Sequence, residues 1–79
     1  MNSVQQKLLR SIEKHDGEWG WYQLDRVVNP RDLPEGATVM DVLRSLETEG
    51  LIEQRPATPQ NRYAITNAGR DALSEVASN

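Results

Sequence analysis

The feature that most limits what this chain can become is a length of 79 residues without a single cysteine. That length holds one small domain. Without cysteine, neither disulfides nor thiolate metal sites can staple it. It must fold on packing alone, in the size range where self-association commonly adds stability. His15 is the only histidine, so multi-histidine metal sites are excluded and any triad has one candidate base. Hydrophobic residues at 37% and charged residues at 27% give a globular balance rather than a disordered one. No apolar stretch approaches the roughly 20 residues of a membrane span, and no apolar leader follows Met1. The expectation is a small cytoplasmic binding module, not an enzyme, with no cofactor, metal or membrane partner.

Hydrophobic spacing divides the chain. Ser3 with Gln6 has the spacing of a capping box. Val4, Leu8 and Ile12, with Leu9 beside them, form the stripe of an amphipathic helix over about 3–15, closed by Asp16-Gly17. His15 falls at its end, favourably placed against the helix dipole. Trp19, Trp21 and Tyr22 follow in a piece too short for more than a brief extended segment. Leu24, Val27 and Val28 then predict a second helix over about 23–28, ended because Pro30 disfavours helical dihedrals at Asn29. Residues 29–36 read as a connector. Val39, Val42, Leu43 and Leu46 predict a third helix over about 37–49, stopped at Gly50. Two strands, Leu51–Arg55 and Arg62–Thr66, flank a six-residue loop in a hairpin over about 51–66. Thr66 can cap a last helix over about 67–77, with Ala72, Leu73 and Val76 facing inward.

The resulting class is α+β, mainly α with a small β-hairpin. Two runs carry a family resemblance. Leu43-Arg44-Ser45-Leu46-Glu47-Thr48-Glu49-Gly50-Leu51-Ile52 resembles the "LxxLExxGLI" run in which a recognition helix of many bacterial regulators enters a wing. Tyr63-Ala64-Ile65-Thr66-Asn67-Ala68-Gly69-Arg70-Asp71-Ala72-Leu73 is similar to the "YxLTxxGRxxL" run of the PadR-like and MarR-like families. The likeness covers about residues 37–76, and the amino-terminal half agrees in element order only. It implies one winged helix-turn-helix domain over 1–79, in the order helix, short strand, helix, helix, strand, wing, strand, helix.

That resemblance implies a small transcriptional regulator, bacterial or phage-borne, that binds double-stranded DNA. The third helix would enter the major groove, with Thr38, Arg44, Ser45 and Thr48 as base-side candidates. Arg55 and Arg62 on the wing would grip phosphate, and Thr58, Gln60 and Asn61 would form its tip. The terminal helices would pair in a weak homodimer.

Three features point elsewhere. Net charge is −3, nine Lys and Arg against twelve Asp and Glu, where a nucleic-acid binder ordinarily has a basic balance. Between Ala37 and Thr66, Arg44, Arg55 and Arg62 face Asp41, Glu47, Glu49 and Glu53, and Asp41 would repel phosphate. The 29–36 connector also exceeds the three or four residues of a tight helix-turn-helix turn, and Arg31, a potential phosphate contact in it, stands among Asp32 and Glu35. The alternative is therefore a winged helix used for protein contacts, an adaptor or inhibitor that leaves DNA alone. Trp19, Trp21 and Tyr22 are its candidate partner surface, since aromatics with a polar edge favour interfaces. A second reading of the same three puts Trp21 in the core and Trp19 over the end of the first helix.

Overall fold

In the computed structural model, residues 3–58 and 60–77 are described, the side chains of 76 and 77 excepted. The expected inward position of Val76 therefore lies outside the described residues. The described chain runs α1 (Ser3–Lys14), α2 (Trp21–Val27), one 3-10 turn (Pro30–Asp32), α3 (Val39–Thr48), β1 (Ile52–Arg55), β2 (Arg62–Ile65) and α4 (Asn67–Ala77). It is an α+β arrangement of four helices and one antiparallel hairpin, in the register Ile52 with Ile65 through Arg55 with Arg62.

The stripes read from the sequence are the faces that bury, except that Val27, expected on the inner face of the second helix, is only half-buried while Leu24 and Val28 enter the core. Val4, Leu8, Leu9 and Ile12 of α1 meet Leu24 and Val28, then Val39, Leu43 and Leu46 of α3, and Ile52, Tyr63, Ile65 and Leu73 from the carboxy-terminal half. No polar or charged residue is buried among the described residues, so apolar packing alone forms the core. Ser3 opens α1 itself, and the position ahead of it, where a cap would fall, lies outside the described residues.

Two helix starts and one short strand differ from the sequence expectation by more than a single residue. α2 starts at Trp21 rather than Gln23, because the Gln23 side chain accepts from the Gly20 N–H at 3.0 Å and caps the helix one turn early. The expected short strand at 19–22 is consequently absent. A backbone bridge ahead of it takes its place: Gly17 N–H donates to Tyr63 O at 3.0 Å, and Tyr63 N–H donates to Trp19 O at 2.8 Å. α3 starts at Val39 rather than Ala37, since Thr38 and Asp41 form a reciprocal capping box.

The hairpin is held at both roots. Gly50 leaves α3 with φ at +77°, a left-handed conformation that a side chain would oppose, and Leu51 N–H reaches back to Leu46 O at 3.0 Å. Thr66 then joins the two ends: its hydroxyl donates to Gly50 O at 2.6 Å and accepts from Gly69 N–H at 3.1 Å, capping α4. Gly69 is needed for a different reason. A Cβ there would overlap Leu51 O and come within 2.7 Å of Ile65 Cγ1, so glycine is what lets α4 lie directly on the chain entering β1.

Candidate functional site

The polar face of α3 and the hairpin form one surface, joined by side-chain amides. Ile52 and Ile65 point inward, and β alternation puts Gln54 and Tyr63 on that same face. Gln54 therefore meets the end of α3, where its Nε2 donates to Glu47 Oε2 at 2.9 Å. Its Oε1 accepts from Asn61 Nδ2 at 3.2 Å. This relay ties α3, β1 and the carboxy-terminal side of the hairpin loop together. Arg44, Glu47, Thr48 and Gln54 line the resulting open groove, of about 410 Å³. Tyr63 lies beneath: burial pushes its phenol above the ordinary value, Glu47 adds to the rise, and Arg44 offsets part of it.

The expected DNA-side residues do not all converge. Arg44 and Thr48 stand together on that groove. Ser45 faces a separate groove with Ser3, Val4, Asp32, Pro34 and Asp41, on the side of α1 and the connector. Thr38 lies outside the helix as its cap, its hydroxyl accepting from Asp41 N–H at 3.3 Å. Asp41 in turn accepts from Thr38 N–H at 2.9 Å. Those bonds hold the Asp41 carboxyl below its ordinary value, so the residue read as facing a duplex also fastens the helix start.

The hairpin arginines differ from one another. Arg55 and Arg62 are directly opposed and both exposed. Arg55 pairs with Glu53 at 3.5 Å, which spends part of its charge locally. For Arg62, no carboxylate stands within ion-pair distance among the described residues. It lines a second open groove, of about 340 Å³, with Gly20, Tyr22, Gln23 and Gln60. Thr58 is exposed at the tip.

The three aromatics split. Trp19 is partly buried against the core, and its ring stacks on His15 with centroids 3.8 Å apart, over the end of α1. Trp21 is 38% exposed and Tyr22 49%, so Trp21 is not a core residue: the early start of α2 turns it outward. Their rings meet edge to face at 5.8 Å. Arg26, one turn on, lies 4.5 Å from the Tyr22 ring centroid and donates to the Tyr22 hydroxyl at 2.7 Å.

Sequence reasoning missed Gln54, Gln23 and Arg26. A polar residue at the inward-alternating position after Ile52 was the available signal for Gln54, and the i, i+4 spacing from Tyr22 was the signal for Arg26. No group of three or more acidic or histidine side chains among the described residues could hold a metal ion. No helix there is long and apolar enough to cross a membrane.

No protein-family model matches the chain, and no curated relative matches it. Among solved structures it is similar to smu.1704 from Streptococcus mutans UA159, with a TM-score of 0.70 at 20% identity, covering 95% of this chain and 73% of that one. At that identity the likeness concerns the fold alone.

Proposed function

We propose that the chain is a winged-helix domain acting in the cytoplasm as a small DNA-binding transcriptional regulator. α3 would enter the major groove and the β1–β2 hairpin would serve as the wing. The observation that carries this reading is the Glu47–Gln54–Asn61 relay, which fixes the hairpin against the α3 face that bears Arg44 and Thr48. Element order supports it as well, and the backbone hydrogen bonds from Gly17 and Trp19 to Tyr63 tie the segment ahead of α2 to β2. In this reading Arg44 reaches a base edge and Thr48 and Gln54 supply donors. Arg62 lies on phosphate, with Arg55 as a weaker second contact.

A protein-binding winged helix is the second reading, and one observation favours it. Glu47, Glu49 and Glu53 follow one another closely in sequence across the end of α3 and the start of β1, all exposed, with no basic residue in the last turn of α3. The negative end of the helix dipole adds to that charge.

A titration of short labelled duplexes at several salt concentrations separates the two. Binding that weakens steeply with salt, and is weaker in Arg44→Ala and Arg62→Ala, supports the regulator. No salt-dependent binding even at about 50 mM salt overturns it and leaves the protein-binding reading.

A further inference from the structure

Trp21 and Tyr22 are the two exposed large hydrophobic residues among those described. They are sequence neighbours on the first turn of α2, so their rings make one patch. Tyr22 is held in place from both sides: Trp21 meets it edge to face, and Arg26 covers its face while bonding its hydroxyl. A ring already fixed loses little freedom when a partner covers it.

The groove beside this patch has an unusual lining for so acidic a chain. Gly20, Tyr22, Gln23, Gln60 and Arg62 line it, and none of them is a carboxylate, although the chain holds twelve Asp and Glu. Gln23 uses its carbonyl oxygen on Gly20 N–H, which leaves its NH₂ group to donate outward. Arg62 brings a cation without a carboxylate in reach among the described residues, unlike Arg55 with Glu53 and Arg70 with Asp16. The groove thus offers donors and positive charge next to an apolar shelf. Asp25 is also exposed on α2 but lies outside the groove lining, so an incoming acid must sit on the hairpin side.

We propose that this groove docks a short acidic segment of a partner protein, with a carboxylate on Arg62 and Gln23 and a neighbouring apolar side chain on Trp21 and Tyr22. Trp, Tyr and Arg are the residue types enriched in the energetic centres of protein interfaces. A single-stranded nucleic acid is the poorer fit, because Arg62 is the one cation among the described residues of the groove lining and the further phosphates of a strand would find no second one there, whereas a single carboxylate needs only one. The inference does not rest on duplex binding by α3.

The test uses the full chain, ¹⁵N-labelled, titrated with an acetylated peptide of alternating Glu-Asp and Leu. The comparison probes are the same peptide with Gln and Asn replacing the acids, and a short single-stranded oligo-dT. The expected result is shifts confined to the Trp21 indole and the amides of Tyr22, Gln23, Gln60 and Arg62. Affinity should fall by about tenfold for the neutral peptide, for Arg62→Ala and for Tyr22→Ala, and stay unchanged for Arg10→Ala, exposed on α1. The variants alter exposed side chains, and their spectra report directly that they remain folded. Three outcomes overturn the proposal: no localised shifts at about 1 mM peptide, equal binding of the neutral peptide, or tighter binding of oligo-dT to the same amides.

Discussion

The root of the hairpin and the surface beside it are built by different means. At the root, backbone does the fixing: Gly50 turns the chain, Leu51 O accepts from Thr66 N–H at 3.1 Å, and Gly69 lets α4 press onto Leu51. On the surface, side chains from three elements do it, through Gln54, Asn61, Tyr22 and Arg26. Gly69 has no room for an added atom and Gly50 is limited by its positive φ, while the surface side chains are exposed.

The largest expected effect comes from filling the tightest contact. Gly69→Ala puts a methyl group into the Leu51 carbonyl and against Ile65, where strand and helix backbones on both sides resist movement. Overpacking of this kind costs about 1–3 kcal/mol, visible as a lowered urea midpoint with an unchanged slope. A midpoint equal to the parent's would mean that α4 shifts freely, and the contrast between a fixed root and a permissive surface would fail.

Asp16 ranks next. One of its carboxylate oxygens accepts from Ile65 N–H and the other from Arg70 Nη2, both at 3.0 Å. It therefore clasps the end of α1 to the free edge of β2 and to α4. Asp16→Ala leaves the Ile65 N–H without its partner; with the carboxylate about one-third exposed, the expected loss is about 1–2 kcal/mol. Hydrogen exchange at Ile65 should quicken more than at Leu43. Equal quickening at both would make the clasp a global stabiliser rather than a fastener of the hairpin edge.

The root was legible in the sequence because its determinants are short-range. A helix period, a glycine after it, and Thr66 ahead of Asn67 each act within a few residues, and hydrophobic spacing named the buried faces. The reason for Gly69 was not legible, since the atoms it must avoid belong to Leu51 and Ile65 and meet it only after folding. The surface was harder still. Arg44 and Thr48 were visible only as two of four outward candidates, and the separation of Ser45 depends on how α1 and the connector pack beside α3. Thr38 and Asp41 are exposed, as read from the helical spacing, but their polar groups also bond each other in a capping box that the sequence reading did not assign. For Trp21 the sequence left two readings open, surface or core; the Gln23 cap, a side-chain choice, sets the start of α2, and the indole is exposed.

On the permissive side, Arg44→Ala and Arg62→Ala should each change stability by less than about 0.5 kcal/mol. If DNA is the ligand, Arg62→Ala should also lower the salt slope of binding by about 0.9. Arg55→Ala should lower it less, because Glu53 already pairs with that guanidinium. Equal slopes for the two arginines would show that the Glu53 pair does not persist in solution.

The smallest effect concerns the start of α3, where both kinds of construction meet in one carboxylate. Asp41 accepts from the Thr38 backbone N–H while Thr38 Oγ1 accepts from Asp41 N–H, and these bonds hold its carboxyl below the ordinary value of 3.8. A group whose folded value is depressed stabilises the fold above the unfolded value, and that stabilisation fades as pH falls through the folded value. Asp41→Asn keeps an oxygen acceptor and removes the charge, so the parent should be slightly more stable at neutral pH. That advantage should close as pH falls below 3.8. Taking the difference in urea midpoints between parent and variant cancels the other carboxylates, which titrate in both proteins. A difference that stays constant from neutral pH into the acid range would mean that the capping bond works equally well without its charge, and that Asp41 is free to act on the surface alone.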